Sequence, residues 1–436
     1  MSFQRYPKYK DSNVEWLSEV PEQWHVQRLK ELLAEVDERA EDLDLELLGL
    51  SKSLGVLKRS QIEQGASESD NYAKYKVAVT GQLVMNKMQA WNGVFGICPC
   101  HGMVSPDYAV YRFTIREFDL FLCSLFRTEL MAGVFFTRCR GMGTAFLRLN
   151  TQDFLDIKVP IPPKDYVHLI IKFIDIETNK INVLVAEQQR LIKLLQEKRE
   201  AVISHAVTKG LNPHAPMKDS GIKWLGLVPK HWSVAKLSRL TTRIGDGLHG
   251  TPEYVDESDY RFINGNNLVD GSILLQDTTR CVNELEFQKH RVELNNKSLL
   301  LSINGTIGNL ALYNCETVIL GKSAAYVNCG NMIIREFLYW FLQSSFMKWY
   351  FEYAVTGTTI FNLSLDSIRS IPVALPSLEE QSAIIADLFA RDKQYKDLIH
   401  TAQRSIDLLQ ERRSVLISAA VTGKIDVRGI ATSDVA

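Results

Sequence analysis

Two short clusters in the sequence contain residue types that could bind phosphate or a metal ion. The LGKS sequence at 320–323 ends like a phosphate-binding loop, but Glu316 stands where such a loop needs its first glycine. Cys98, Cys100 and His101 could supply part of a zinc site, but no second ligand pair follows at a recognised spacing. We therefore expect no nucleotide site and no metal site, and we interpret these cysteines as buried free thiols near a turn.

The other residues that could react form no recognisable catalytic group. Asp107, Asp156 and Lys158 loosely match a nuclease residue set, but they lie far apart and Asp156 borders a proline segment. The chain has no G-x-S-x-G elbow, no Cys and His arrangement typical of a triad, and no Asn/Asp-Pro-Pro-aromatic segment of an adenine methyltransferase. We expect that this chain performs no covalent chemistry itself.

The elements that would position any site occur twice along the chain. Residues 10–29 read KDSNVEWLSEVPEQWHVQRL and residues 218–237 read KDSGIKWLGLVPKHWSVAKL, with ten identical positions. Residues 194–208 return at 408–422, where the offset between copies has grown from 208 to 214 residues. Repeats of this length are whole modules, so the sequence indicates a tandem duplication with pseudo-twofold symmetry.

Composition limits the class of protein further. The 436 residues are 46% hydrophobic and 23% charged, which is typical of two or three globular domains. The N-terminus does not resemble a signal peptide and no apolar run reaches the roughly 18 residues of a membrane helix, so we expect a cytoplasmic protein with reduced cysteines. A net charge of −1 argues against coating of nucleic acid by bulk electrostatics but leaves a local basic cleft open.

Each copy follows the same plan, which predicts an α+β fold. A segment with the pattern KDS-WL-VP-W comes first, then a β-rich stretch, then prolines before a long helical pattern. The β-rich stretches are the least similar parts of the two copies. We predict a first β-rich domain at 1–162, a long helix at 163–209, a linker and second β-rich domain at 210–376, a second long helix at 377–422 and a tail at 423–436.

The two helical patterns carry matched apolar stripes at spacings of three, four or seven residues. The first stripe consists of Ile170, Ile174, Ile181, Leu184, Leu191, Leu195 and Val202. The second stripe consists of Ile384, Leu388, Tyr395, Leu398, Ala402, Leu409 and Leu416. Helices of about 42 residues would be ~60 Å long, more than a globular core needs. We favour two antiparallel helices that form a coiled-coil spacer, against the alternative that each helix packs on its own domain.

In this arrangement of motifs the chain resembles the specificity subunits of type I restriction-modification systems. The resemblance covers nearly the whole chain and depends on motifs that occur in order and twice. They are KDSxxxWLxxVPxxW in both copies, GTAFLRL at 143–149, GTTIFNL at 357–363, PSLEEQSAII at 376–385, and LLQEKREAVISHAVT with its repeat. VMNKMQAWNG at 84–93, SPDY at 105–108 and GDGLHGTPEY at 245–254 look like segments of individual target-recognition domains. The first copy departs from the Leu-x-Glu-Gln step before the helix, where it has Asp165 and His168.

The resemblance implies a non-catalytic DNA-binding subunit with two target-recognition domains. Each domain would read one half of a bipartite, asymmetric site in double-stranded DNA, and the helices would set the distance between the halves. The same helices would dock two methyltransferase subunits that carry S-adenosylmethionine, and motor-nuclease subunits that use ATP and Mg would join them. No cofactor is expected on this chain.

The DNA-contacting candidates are polar and aromatic residues on the loops of the two readers. In the first reader they are Lys87, Gln89, Trp91, Asn92, Ser105, Tyr108 and Thr144. In the second they are His249, Thr251, Asn304, Thr306, Lys322, Ser323, Thr358, Thr359 and Asn362. Positions shared by both copies would touch phosphates, and unshared positions would touch bases. For each of them, a turn or capping role is the alternative.

Two alternatives to the specificity subunit come from other classes of protein. The first is a DNA nuclease or methyltransferase with an unrecognised active site, and turnover by the purified chain would identify it. The second is a structural scaffold whose β-rich domains bind protein partners, and a gel-shift with duplex DNA would separate it.

Overall fold

The fold is seen in a computed structural model that describes residues 3–40, 45–61, 74–141, 143, 146–356 and 361–429. By its internal contacts the chain divides into two compact units. Unit 1 consists of Met1–Gln188 and Arg404–Ala436, and unit 2 consists of Gln189–Gln403. Each unit therefore contains one Trp-Pro segment, one β-rich stretch and part of both long helices.

Unit 1 is built from short strands and helices around one central sheet. Its strands are Tyr9–Val14, Leu17–Pro21, His25–Arg28, Leu33–Val36, Leu48–Ser51, Gly55–Lys58, Lys76–Ala78, Leu83–Asn86, Phe95–Ile97, Gly102–Val104, Tyr108–Phe113 and Lys158–Ile161. Its short helices are Leu29–Leu32, Arg59–Gln61, Ala90–Asn92, Arg116–Phe118, Asp119–Phe126, Glu129–Arg138 and Thr151–Leu155.

The central sheet of unit 1 is antiparallel and is covered on both faces. Its strand order is Leu33–Val36, Tyr108–Phe113, Leu83–Asn86, Phe95–Ile97. Leu83 and Met85 pack into the main core of the unit, whereas Val84 between them packs into a second, smaller core. Because side chains alternate across a strand, burial on both faces produces the continuous apolar run LVM in the sequence.

Unit 2 contains a larger set of short elements. Its strands are Met217–Asp219, Leu227–Pro229, Ser233–Lys236, Thr241–Asp246, Tyr254–Val255, Tyr260–Ile263, Leu268–Val269, Ser272–Ile273, Cys281–Val282, Ser298–Ser302, Leu310–Leu312, Val318–Leu320, Ala324–Cys329, Val355–Thr356, Asn362–Leu363 and Pro372–Leu375. Its short helices are Leu237–Leu240, Gly265–Asn267, Glu284–His290, Arg335–Leu342, Ser345–Ala354 and Leu365–Arg369.

The central sheet of unit 2 has the same internal order as that of unit 1. The strands run Thr241–Asp246, Ala324–Cys329, Ser298–Ser302, Leu310–Leu312, all antiparallel. In both units the chain enters on an edge strand and forms the two far strands, and it returns through the strand beside the first. Leu299 and Leu301 face the main core and Leu300 faces a second core. The two dissimilar β-rich stretches thus form sheets of one topology.

Two long helices, Lys164–Lys209 and Leu378–Val421, confirm the prediction of two uninterrupted helical segments. Acidic residues occupy the first turn of both helices, Asp165 in the first and Glu379 and Glu380 in the second. Negative charge is favourable at a helix N-terminus, so the altered sequence of the first copy still starts a helix.

Each long helix ends at a glycine that packs against a Trp-Pro segment. Gly210 and Gly423 follow the helices with φ of +72° and +75°, the left-handed geometry of a helix C-terminus. A Cβ at Gly423 would lie 2.5 Å from Pro21 Cδ in unit 1, and a Cβ at Gly210 would lie 3.3 Å from Trp232 Cζ2 in unit 2. The glycines are therefore required by conformation and by close packing.

The tryptophans of the repeated segment are packing anchors, most completely at Trp24 and Trp232. These two side chains are fully enclosed in the main cores of their units, and Trp16 and Trp224 are partly buried beside them. Trp232 Nε1 donates a hydrogen bond to Glu380 Oε2 at 2.9 Å, which joins the segment to the first turn of the second long helix.

Within each unit the start of one long helix shares a core with the end of the other. In unit 1, Ile170 and Phe173 belong to the same cluster as Leu416 and Ala420. In unit 2, Ile203 and Val207 belong to the same cluster as Ile384 and Leu388. Pairing of starts with ends is what two antiparallel helices require.

The predicted apolar stripes are correct in some places and wrong in others. Ile170, Ile174, Ile181, Ile384, Leu388, Ala402 and Leu416 are buried, and Leu195, Val202, Tyr395 and Leu409 are half-buried. Leu184, Leu191 and Leu398 remain 50%, 44% and 53% exposed, so they do not lie in a packed seam. The strict spacing missed Asp392, which is buried because it pairs with a cation, and Ile406, which is buried in the following turns.

Within the described part of the chain, no single helix is long and apolar enough to cross a membrane.

Candidate nucleic-acid interface

The loops that carry the candidates of unit 2 meet at one end of its central sheet. Leu248 N donates to Leu320 O at 2.7 Å, and Ile303 N donates to Ser323 O at 2.9 Å. Leu363 N donates to Ile303 O at 2.9 Å, which adds the segment after residue 360. Residues from four separate stretches of sequence are thereby held in one surface.

Some of these candidates are occupied by contacts that shape the loops. Ser323 Oγ donates to Asn264 Oδ1 at 3.0 Å and accepts from Gly265 N at 2.9 Å. Asn304 pairs with Asn362 across an antiparallel bridge. Thr306 Oγ1 lies 3.1 Å from Ser302 Oγ. Ser323 therefore has a structural role here, as the alternative interpretation of the sequence allowed.

Other candidates of unit 2 present their side chains to solvent. They are His249, Thr251, Thr306, Lys322 and Asn362. His249 is 71% exposed and its Nε2 lies 2.7 Å from Asp246 Oδ2, so the imidazole is oriented by a carboxylate while its ring stays accessible. Thr358 and Thr359 lie outside the described residues.

The candidates of unit 1 gather in the corresponding way. Leu149 N donates to Lys87 O at 2.9 Å, Arg148 NH2 lies 3.1 Å from Asp107 Oδ1, and Tyr108 pairs with Asn86 in the central sheet. The loops 86–92, 105–108 and 146–149 therefore form one surface at the end of the sheet. Thr144, which was predicted in this surface, lies outside the described residues.

Several unit 1 candidates mainly support the loop they belong to. Trp91 Nε1 donates to Met88 O at 2.9 Å and Asn92 Oδ1 accepts from Lys52 Nζ at 2.7 Å. Ser105 Oγ accepts from Asp107 N at 3.4 Å. Gln89 is exposed at the start of the short helix Ala90–Asn92, where it makes no capping bond through its side chain.

Lys87 and Tyr108 are more enclosed than surface residues of a loop. The Lys87 side chain is 25% exposed, with Nζ 3.9 Å from Glu35 Oε1. Burial lowers the pKa of the Lys87 ammonium, and the nearby positive charge of Lys76 lowers it further. Burial raises the pKa of the Tyr108 hydroxyl. The contact of either residue with DNA remains a prediction.

Sequence reasoning missed four exposed residues in these two surfaces. Arg140 and Arg148 have side chains 74% and 51% exposed in unit 1. Phe146 is 71% exposed in unit 1 and Phe361 is 59% exposed in unit 2. The signal for Arg148 was present, since aligning GTAFLRL with GTTIFNL places it opposite Asn362, which was a candidate.

The clusters that suggested other chemistry are explained by the fold. The LGKS segment continues from the strand Val318–Leu320 into the strand Ala324–Cys329, so no helix follows it to receive a phosphate. Cys98 Sγ donates to Cys100 O at 3.0 Å, and burial raises the pKa of the Cys98 thiol to about 11. Asp107 pairs with Arg148, whereas Asp156 pairs with Arg28. Among the described residues, no three His, Cys, Asp or Glu side chains could hold a metal ion.

The fold and the two surfaces define a class of protein with two β-rich domains of one sheet topology, different exposed side chains at the loop end of each central sheet, here called the tip, and two long helices that contribute to both units. A family model described as the type I restriction modification DNA specificity domain matches residues 232–407. The chain is 22% identical to the specificity subunit of the type I restriction enzyme MjaVIII of Methanocaldococcus jannaschii over 302 residues, which are 68% of each chain. It is 21% identical to the putative MjaX specificity subunit of the same organism, over 96% of this chain and 98% of that one.

A solved structure shows the same fold over nearly the whole length. It comes from work described as the structural basis of complex assembly and conformational transition of the type I R-M system. It matches with a TM-score of 0.70 at 16% identity, over 93% of this chain and 99% of the other. Residues 232–407 therefore match the DNA specificity domain of type I restriction-modification systems, and the chain as a whole is similar in sequence to proteins named as specificity subunits of such systems.

Proposed function

We propose that each β-rich domain reads one half of a bipartite, asymmetric site in double-stranded DNA. One observation carries this proposal. The two central sheets share one topology, but the exposed side chains at their tips differ, with Arg140 and Arg148 in unit 1 and His249, Lys322 and Asn362 in unit 2. Two domains with one sheet topology and different polar side chains at their tips suit two half-sites of different sequence, because base edges are distinguished by their donors and acceptors.

The long helices are proposed to set the distance between the half-sites and to dock the partner subunits. Leu194 and Leu408 occupy the same place in the repeated helical segment and are 52% and 56% exposed. Val183, Leu184, Leu191 and Val415 add further exposed apolar side chains to these helices. Exposed apolar surface that recurs in both copies fits two copies of one partner, as two methyltransferase subunits would be.

The chemistry of the system is assigned to those partners. The methyltransferase subunits would bring S-adenosylmethionine, and motor-nuclease subunits would bring ATP and Mg. This chain would work in the cytoplasm as a non-catalytic subunit that selects the DNA sequence.

Mapping of methylated adenines tests this function directly. The chain is co-expressed with methyltransferase subunits of its own system in a host that lacks other adenine methylation. The expected result is methylation at a site with two unlike half-sites at a fixed gap, and no turnover when the purified chain alone is incubated with DNA, S-adenosylmethionine and Mg. Methylation without a bipartite site, or turnover by the chain alone, would contradict the proposal.

Lys322 provides a test of the proposed surface. Its ammonium group is exposed at the tip of unit 2. Lys322→Ala should weaken DNA binding by the assembled complex by ~1 kcal/mol and reduce the salt dependence of binding by about one phosphate contact. Fluorescence anisotropy at several salt concentrations measures both quantities.

Lys297 is the matched control for that substitution. It is an exposed lysine at the other end of the strand Ser298–Ser302, where its Nζ bonds to Asn331 Oδ1 at 2.9 Å. Lys297→Ala makes the same change of charge away from the tip, so it should leave affinity and salt slope nearly unchanged. Equal losses for the two variants would show that Lys322 acts only through net charge.

A further inference from the structure

We infer that Arg148 and Asn362 hold the same position in the two readers and that each selects one base of its half-site, guanine for Arg148 and adenine for Asn362. This inference rests on the proposed function, because it assigns a base contact within the proposed DNA surface. The match to the family model does not assign a base to either residue. The side chains at the tips of the two domains differ from each other.

The equivalence of the two positions follows from the backbone. Leu149 N donates to Lys87 O and Leu363 N donates to Ile303 O, both at 2.9 Å. Lys87 and Ile303 each follow the same strand of their sheets, Leu83–Asn86 in unit 1 and Ser298–Ser302 in unit 2. Leu149 and Leu363 are fully buried, so each fixes the residue before it at the surface.

Both positions also close a hairpin. Arg148 pairs with Arg140 through two backbone hydrogen bonds of 2.9 Å, and Asn362 pairs with Thr356 in a two-stranded ladder. Side chains alternate between the two faces of a strand, so the inward leucine forces its neighbour outward. The backbone thus fixes the position of Arg148 and Asn362 in each domain, whereas the type of side chain at that position can differ.

Arg148 is oriented before any ligand arrives. Its NH2 group lies 3.1 Å from Asp107 Oδ1 and 3.9 Å from Met88 Sδ, while half of the side chain remains exposed. A carboxylate on one side of a guanidinium restricts the side chain and leaves other N–H donors directed outward. A planar fork with two parallel donors matches the O6 and N7 acceptors of guanine in the major groove.

Asn362 is oriented by an amide instead of a carboxylate. With the Asn304 amide placed to satisfy its neighbours, its nitrogen lies 3.0 Å from Asn362 Oδ1. This contact holds the Asn362 amide in place at an exposed position. A carboxamide that offers one acceptor and one donor matches the N6 and N7 groups of adenine.

A phosphate contact does not account for this pair of residues. Every half-site presents the same phosphates, so a shared phosphate contact favours the same cation in both readers. Instead, the equivalent positions carry the charged guanidinium of Arg148 in one domain and the neutral carboxamide of Asn362 in the other. Two different side chains at one equivalent position suit the recognition of two different bases.

Substitutions at the two positions test the inference in the complete methyltransferase complex. Arg148→Asn should abolish or switch the guanine preference at one position of one half-site, with discrimination changed by about 5- to 150-fold. Asn362→Arg should change one position of the other half-site. Arg148→Lys keeps the charge but loses the fork, so it should also lose the preference for guanine. The readout is the base composition of methylated sites selected from a randomised DNA library.

Arg112 is the matched control in the same unit. It is exposed near the other end of the strand Tyr108–Phe113, where its backbone pairs with Ala34. Arg112→Asn makes the same change of charge away from the proposed DNA surface and should leave both half-sites intact. Unchanged half-sites in Arg148→Asn, Arg148→Lys and Asn362→Arg would overturn the inference, as would the same altered site in Arg112→Asn. A wild-type complex without sequence-specific methylation would instead contradict the proposed function.

Discussion

Inserting four residues into both long helices, after Gln188 and after Gln403, is expected to widen the gap between the two half-sites and to leave the half-sites themselves unchanged. The two units divide at these residues, so the insertions fall between them along the chain. Four helical residues add about 6 Å at 1.5 Å per residue. Because DNA rises 3.4 Å per base pair, the gap should grow by about one to two base pairs.

Both helices have to be lengthened because both connect the units. An insertion in one helix alone would make the two connections unequal in length. The measurement is the mapping of methylated adenines for the wild type and the double insertion. Four residues added within 210–216, after the first helix has ended, form the control and should not alter the gap. An unchanged gap in the double insertion would contradict the proposed spacer.

The long helices were predictable because their signal is local. A stretch without Pro or Gly, an acidic first turn and a glycine after the last turn are all contained in the segment itself. The observed helices Lys164–Lys209 and Leu378–Val421 begin and end within one residue of the predicted bounds. The apolar spacing was less informative, because it describes one helix and not the neighbour that covers it.

The sheets were harder to predict because their order depends on contacts far apart in sequence. Strands of three to six residues, such as Phe95–Ile97 and Ala324–Cys329, give short apolar runs without a partner assignment. In each sheet, the strand that comes last in the sequence lies between the first and the second. No local pattern contains that order, so the common topology of the two readers became visible only in the structure.

Only part of the candidate surface was predictable, because the contacts of its side chains also involve residues far apart in sequence. The sequence predicted polar loop residues at this surface, and His249, Lys322 and Asn362 are exposed there. Ser323 could not be separated from them, because its partner Asn264 lies 59 residues away. Arg148 could have been found by aligning the two repeats, but the carboxylate that orients it, Asp107 on another loop, is visible only in the structure.

Asp392→Ala is expected to lower the free energy of unfolding of unit 2 by about 3 kcal/mol. Asp392 is 8% exposed and accepts from Arg199 Nε at 2.5 Å, with Lys396 Nζ at 3.1 Å from its other oxygen. Removing one member of a buried ion pair leaves the other charge without its partner, which typically costs 3–5 kcal/mol. The lower value applies because the Arg199 side chain is 24% exposed and can reach water.

Urea unfolding of the Arg199→Ala, Asp392→Ala and double variants measures this effect. A double-mutant cycle should give a coupling free energy above about 1 kcal/mol, because each single substitution removes the same interaction. Thr178 is the matched control, since it stands at the equivalent position of the first long helix. Its hydroxyl donates to Ile174 O of its own helix at 2.7 Å, so Thr178→Ala should change stability by less than about 1 kcal/mol.

The ion pair also fixes the register of the two long helices, in addition to its contribution to the free energy of unfolding. Arg199 belongs to the first long helix and Asp392 to the second, so their contact fixes the register of the two helices in unit 2. Apolar side chains pack almost as well after a shift of one turn, about 5.4 Å, whereas a buried charge pair does not. Replacing both residues by Leu should therefore keep most of the stability but broaden the gap between half-sites. A single sharp gap with that double substitution would show that the apolar contacts alone set the register.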